Sequence, residues 1–124
     1  MESVRHTFVD FVARSDSDDE WLIVLVEEGP WGPAIEDRLR AIQDRLYGCV
    51  DAALDGDLAM KFPETKGKRI VVQLDCYDGP EADVSEFFSR FAEGVFNIAD
   101  YAEALVRSPH VREIVFKLNL RTLK

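Results

Sequence analysis

Four residues that could bind a ligand or transfer a proton stand at the ends of predicted strands. Asp75, Tyr77 and Asp78 close one strand, and His110 stands beside the start of a later one. Carboxylate, phenol and imidazole groups serve as acids and bases, and ligands often bind outside the carboxyl ends of parallel strands. These residues are therefore the candidate ligand-binding site. The competing interpretation is that Asp78 only forms the turn that ends at Pro80.

The residue types that bind metals or act as nucleophiles are few and scattered. His6, His110, Cys49 and Cys76 show none of the close pairwise spacing that is typical of zinc sites. Both cysteines fall on apolar faces of predicted elements, where cysteine usually packs as a small hydrophobic residue. The glycines form no phosphate-binding cluster. We therefore expect no metal and no cofactor, and the sequence identifies no catalytic residue.

The acidic segment 16–20 carries alternating carboxylates, as a calcium-binding loop does. Such a loop needs a glycine at its sixth position, and here that position is Trp21. No helix is predicted before the segment, and a strand follows it. A solvated loop between two strands is the favoured interpretation.

The charge of the chain excludes some classes of partner. The 124 residues include 15 Lys and Arg against 24 Asp and Glu, a net charge of −9. Proteins bind nucleic acid mainly by neutralising phosphates, so we expect no nucleic-acid partner, whereas a basic protein partner is compatible with this charge. The longest apolar run, Trp21–Val26, is far too short to cross a membrane. With no export signal and no paired cysteines evident, a cytoplasmic location is expected.

The spacing of apolar residues predicts four strands and three helices in a single domain spanning residues 1–124. The first helix lies between Pro33, which suits a first turn, and Gly56, which suits a C-terminal stop. Gly94 interrupts a second helical pattern, so two short helices are predicted, with one bent helix as the alternative. The strands are residues 6–13, 21–26, 69–77 and 111–120, and the helices are residues 35–54, 81–93 and 97–107.

The order β-β-α-β-α-α-β predicts an α+β fold with two layers. A mixed four-stranded sheet would carry the helices mainly on one face. The last strand ends the chain with a net positive charge, which is typical of an edge strand protected from edge-to-edge pairing.

The opposite face of the sheet is expected to need a cover. Several strands carry apolar residues on both faces of the sheet, and an exposed apolar patch favours association. A homodimer is the preferred explanation, because two-fold dimers are the commonest oligomers. The helix at 97–107 and the segment around Trp31 are alternative covers, and Trp31 can also act as a cap on the core. The residues assigned to this interface are Trp21, Ile23, Leu25, Trp31, Val71 and Val115.

A series of short motifs runs from the connector before the first helix to the strand that follows it. In order and spacing, these motifs resemble a family of small bacterial domains of unknown function, over roughly residues 8–95. Tyr47 and Cys49 depart from the family pattern, which usually has Asn and Tyr there. The resemblance implies the fold and brings no activity with it. The matching residues are Trp31, Ile42-Gln43-Asp44-Arg45-Leu46, Gly56, Phe62-Pro63, Gly67-Lys68 and Ile70-Val71-Val72.

These observations lead to two hypotheses about function. The first is a non-enzymatic, acidic, homodimeric interaction domain, resembling an inhibitor or immunity protein, that binds a basic partner. The second is a small enzyme or ligand-binding domain with its site near Asp75–Asp78 and His110.

Overall fold

The computed structural model describes residues 11–15, 17, 19–29 and 31–122. Of Phe11, it describes the backbone but not the side chain. Within that part, four strands and four helices confirm the predicted α+β fold. Most of the predicted strand 6–13 lies outside the described residues. The strands are β1 (Phe11–Arg14), β2 (Glu20–Glu27), β3 (Lys68–Tyr77) and β4 (Val111–Arg121); the helices are α1 (Ile35–Asp55), α2 (Asp57–Lys61), α3 (Glu81–Gly94) and α4 (Ala99–Arg107).

The sheet is mixed, and its strands follow one another in chain order. β1 pairs with β2 in antiparallel fashion, whereas β2, β3 and β4 run parallel. Parallel neighbours need a crossover connection, so α1 links β2 to β3, and α3 with α4 links β3 to β4. Helices and sheet share one core, in which Leu25, Leu46 and Leu74 are fully buried.

Helix α1 ends where the sequence predicts, and the reason is geometric. Gly56 has φ +97°, in the left-handed region that a glycine adopts without strain. The ring of His110 packs against it so closely that a Cβ on Gly56 would lie 2.8 Å from Nε2 of His110. Both the backbone and the available space therefore require glycine at this helix end.

The second helical pattern is broken, as predicted, into two helices. α3 ends at Gly94, a 3-10 turn covers Val95–Asn97, and α4 begins at Ala99. Ile98 has extended backbone angles, so the helical hydrogen bonding cannot continue through it. The alternative of one bent helix is therefore wrong.

The stretch between α1 and β3, for which no helix or strand is predicted, contains two short helical elements. It forms the short helix α2 and a 3-10 turn at Pro63–Thr65. Leu58 of α2 joins the core, and Thr65 is buried with its hydroxyl donating to the Phe62 carbonyl over 2.8 Å. The buried Leu58 anchors the segment to the core, and the Thr65 hydrogen bond closes the 3-10 turn itself.

Three of the proposed interface residues lie on the helix side of β2. In the β2–β3 register Trp21, Ile23 and Leu25 are opposite β3 residues that face the helices. Ile23 and Leu25 are fully buried in the core, and Trp21 packs against it. Their assignment to the uncovered face is wrong, because a strand that is apolar on both faces does not indicate which face meets the helices.

The reverse face of the sheet, away from the helices, carries Leu22, Val24, Val71 and Val115. Val24 and Val71 are already only 2% and 7% exposed, and Val115 is half-buried. Polar residues continue the same rows of side chains. The described residues of this face therefore do not form the continuous exposed apolar patch that the sequence suggested.

An ionic network closes one end of the reverse face. Arg69 on β3 bonds to Glu113 on β4 over 2.9 Å and to Glu20 on β2 over 3.4 Å. The hydroxyl of Ser15 donates to Glu20 over 2.7 Å. That hydrogen bond, with help from Arg69, lowers the pKa of Glu20. Side chains of this chain alone therefore link β2, β3 and β4 at this end of the reverse face.

Strand β4 contains a bulge near its start. Lys68 pairs with Val111, whereas the next β3 residue, Arg69, pairs with Glu113. Arg112 is the extra residue, and its side chain is exposed. From Glu113 to Arg121 the pairing with β3 is regular, and β3 is the only strand beside β4 within the described residues.

Candidate functional site

Asp75, the first residue of the predicted ligand site, is part of a polar ladder on the reverse face. Its Oδ1 atom accepts hydrogen bonds from Gln73 over 3.0 Å and from Asn119 over 2.9 Å. The guanidinium of Arg121 approaches the same atom to 3.9 Å. Because these neighbours satisfy a buried carboxylate, the arrangement explains Asp75 as a link between β3 and β4.

Tyr77 and Asp78 shape the exit of β3. The Tyr77 carbonyl accepts the indole N–H of Trp31 over 2.9 Å. Asp78 has φ +59°, and its backbone N–H donates to the Arg121 carbonyl. Asp78 therefore acts as a turn residue, which was the competing interpretation, and Trp31 caps the core at this edge.

His110 does not join the other members of the predicted site. It immediately precedes β4, and β4 runs parallel to β3, so His110 lies at the amino edge of the sheet. Tyr77 and Asp78 lie at the carboxyl edge, the full length of the strands away. The prediction of one site from these four residues is therefore wrong in placing His110 there.

A buried ion pair lies at the carboxyl edge on the helix side. Arg45 of α1 contacts the Glu27 carboxylate over 2.6 Å and the Val26 carbonyl over 3.1 Å. Glu27 is only 7% exposed. Burial, together with the negative charge of Glu27, raises the pKa of the Cys76 thiol to about 11. Cys76 is therefore an uncharged thiol at neutral pH and a poor nucleophile.

Among the described residues, no group of three or more metal-binding side chains converges. Cys49 and Cys76 are both buried and neither forms a disulfide, in agreement with their expected place in the core. No helix in the described ranges is both long enough and apolar enough to cross a bilayer.

A groove between α1 and α3 is the candidate interaction site. Its volume is about 360 Å³, and it opens to solvent. Tyr47 and Phe91 meet there edge to face, with ring centroids 5.0 Å apart. Ile98, which follows the 3-10 turn, is 43% exposed. The remaining lining residues are Gln43, Phe87, Arg90, Gly94 and Val95.

Helix α4 supports the groove from one side. The ring of Tyr101 lies 5.6 Å from that of Tyr47, and its hydroxyl donates to Asp51 of α1 over 2.8 Å. Tyr47 thus contacts an aromatic ring on both α3 and α4. The Gln43 side chain, one turn earlier on α1, makes no hydrogen bond to any described residue, so its amide is available to a ligand.

The helices around the groove are acidic. Together α1, α3 and α4 carry eleven acidic and five basic residues, which accounts for −6 of the net charge. Arg90, the basic residue among the lining side chains, is paired with Glu86 over 2.8 Å. The three helices as a whole therefore carry an excess of negative charge, while the groove lining itself contains no acidic side chain.

A larger hollow on the reverse face, of about 540 Å³, is a weaker candidate. Leu22, Val71 and Val115 line it together with charged side chains that include Glu20 and Lys117. Glu20 is already engaged by Ser15 and Arg69. The hollow therefore lies beside charged side chains that already pair with one another across the strands.

Sequence reasoning missed the groove because its residues look like core residues. Phe87, Phe88 and Phe91 recur at the spacing of a buried helix face, yet only the latter two are buried in the core. Gln43 and Tyr47 stand four apart on α1, so they share a face, and that spacing was the available signal.

Comparison with known proteins adds no family to this geometry. No family of known proteins, no curated protein and no solved structure matches the chain.

Proposed function

We propose that this protein is a non-enzymatic interaction domain, and that the groove between α1 and α3 binds a basic segment of a partner protein. The observation that carries the proposal is the exposed apolar groove set among acidic helices. Tyr47 and Ile98 offer apolar contact at its centre. An interface with an apolar centre and a charged rim is the usual arrangement for protein partners.

The sign of the charge selects the partner. Acidic helices attract a basic segment and speed its encounter, and they repel an acidic one. The partner segment needs an apolar side chain to fill the groove and Lys or Arg residues beside it. An inhibitor-like or immunity-like role, in which the acidic domain masks a basic protein, agrees with this chemistry.

A binding role is favoured over catalysis by what surrounds the reactive side chains. Asp75 is held by Gln73 and Asn119, and Cys76 is an uncharged buried thiol. Neither Cys49 nor Cys76 forms a disulfide, which favours a reducing compartment, so we place the protein in the cytoplasm.

A synthetic probe tests the proposal. An amphipathic Lys/Leu helical peptide of about 18 residues is titrated calorimetrically into the protein, beside a Glu/Leu peptide of the same length. The basic peptide is expected to bind and the acidic one not to bind. Amide NMR shifts are expected to change at Gln43, Tyr47 and Ile98. Affinity should fall on going from about 50 mM to about 300 mM NaCl, because salt screens the attraction.

Two matched variants separate groove binding from general attraction to an acidic protein. Ile98→Lys places a charge in the groove and should weaken the basic peptide by roughly tenfold or more, as loss of an interface anchor does. Val106→Lys makes the same change of charge at a residue that is 86% exposed and outside the groove, and should have little effect. Equal weakening by both variants, or equal binding of the acidic peptide, would contradict the proposal.

A further inference from the structure

The last strand of the sheet has a regular outer edge. The Arg121 carbonyl accepts a hydrogen bond from the Asp78 N–H of the turn after β3, so the backbone of Arg121 points toward β3. Backbone groups alternate sides along a strand, and the pairing is regular from Glu113 onward. The N–H and C=O groups of the even-numbered residues therefore point outward. These residues are Ile114, Phe116, Leu118 and Leu120.

The side chains of the same four residues form an apolar row on the helix side. Ile114 is buried, Phe116 and Leu118 are half-buried, and Leu120 is 36% exposed. Phe116 contacts Phe91 with ring centroids 5.4 Å apart. The row is thus part of the core but is left incomplete at the outer edge of the sheet.

We infer that β4 pairs with β4 of a second copy, antiparallel and about a two-fold axis at Lys117, to make a continuous eight-stranded sheet. In this register Glu113 of each copy lies opposite Arg121 of the other copy. Ile114 meets Leu120, and Phe116 meets Leu118, so the two apolar rows join. A two-fold interface is self-complementary in this way. The inference is independent of the groove and goes beyond the proposed function.

The register follows from comparing two alternatives. An axis at Lys117 uses all nine residues of the regular segment Glu113–Arg121. An axis at Val115 would pair Glu113 with Lys117, but it uses only five regular residues before it meets the bulge. The longer register has one drawback, since the two Lys117 side chains face each other. Its additional backbone hydrogen bonds outweigh one like-charge pair of flexible side chains.

This arrangement differs from the dimer expected from the sequence. The dimer expected from the sequence used the reverse face of the sheet, whose described valines are largely buried. The dimer inferred from the structure uses the outer edge of β4. Arg121 then favours pairing rather than preventing it, because it faces Glu113 of the second copy.

Cysteine cross-linking tests both the dimer and its register. Lys117→Cys, Val115→Cys and Phe116→Cys are each exposed to mild oxidation in the full-length protein. Lys117, like the other odd-numbered residues, has its backbone N–H and C=O groups directed toward β3. Two such residues opposite each other across the dimer form a close non-hydrogen-bonded pair, whose Cα separation suits a disulfide. Lys117→Cys is expected to give a covalent dimer. The native cysteines are fully buried and give no background. Preferential cross-linking at position 115 or 116 would overturn the register.

Mass measurement by sedimentation equilibrium gives a second test that does not need oxidation. Lys117→Thr removes the like-charge pair and should tighten the dimer by about twofold to fivefold, whereas an axis at Val115 predicts weakening. Arg121→Glu places two acidic residues opposite each other and should weaken the dimer by roughly tenfold. Leu118→Pro removes an outward N–H and should abolish the dimer, while its circular dichroism stays unchanged. A wild-type protein that stays monomeric at high micromolar concentration would overturn the inference.

Discussion

The ion pair between Glu27 and Arg45 is the residue-scale feature with the largest expected effect on stability. Removing one partner of a buried pair leaves an uncompensated charge in the core. We therefore expect Arg45→Met to lower the free energy of unfolding by about 3–5 kcal/mol in urea denaturation. Arg40→Met removes an exposed ion pair with Asp37 and should cost less than about 1 kcal/mol.

The double variant Glu27→Leu with Arg45→Met distinguishes a buried charge from lost packing. It removes both charges, so much of the stability lost in Arg45→Met should return. A double variant as unstable as Arg45→Met alone would show that packing, and not the stranded carboxylate, is responsible.

Cys76 gives the protein a predictable alkaline weakness. The folded thiol has a pKa of about 11, above the ordinary value of 9.0, so the folded chain keeps a proton that the unfolded chain releases. Stability must therefore fall as pH rises from about 9 to 11, by up to about 3 kcal/mol. We expect wild type to lose that much relative to Cys76→Ala when unfolding is measured across this range. Parallel curves for the two proteins would contradict the prediction.

At the scale of elements, α4 is the most weakly held helix. None of its residues is fully buried, although Tyr101, Ala104 and Leu105 pack against the edge of the core. Tyr101 donates to Asp51, and Ser108, just after the helix, donates to the Leu54 carbonyl over 2.9 Å. α4 should therefore open locally before the sheet unfolds.

Tyr101→Phe tests this ordering of stability. The variant loses one hydrogen bond and should reduce stability by about 1 kcal/mol. Amide hydrogen exchange should speed up in α4 and stay unchanged in β3. Equal acceleration in both elements would show that α4 unfolds only with the whole domain.

The elements that the sequence predicts well are those with one apolar face. α1 and α3 have a polar outer side, and Gly56 and Gly94 mark their ends, so residue types alone determine both helices. β2 is different, because residues 21–26 are apolar on both faces. Only the pairing of Ile23 and Leu25 with β3 decides that they face the helices. The short helix α2 was missed for a related reason, since one buried leucine gives no periodic signal.

At the scale of the whole molecule, residues separated in sequence combine in ways that local patterns do not encode. His110 and Asp78 both stand beside strand ends, yet the parallel direction of β3 and β4 puts them on opposite edges. The groove likewise combines α1 with α3 and with Ile98, three segments whose contact depends on how the helices pack on the sheet. Element types were therefore predictable, whereas the candidate site was not.

The bulge at Arg112 also has a consequence for how this chain can vary in length. Deleting Arg112 would leave Val111 and Glu113 adjacent, opposite Lys68 and Arg69, in an uninterrupted ladder. Every later side chain of β4 would keep its orientation. A deletion two or three residues further on would instead move the side chains on one side of the deletion to the opposite face of the sheet. Homologous chains that differ by one residue in this region should therefore carry the insertion or deletion at this single point.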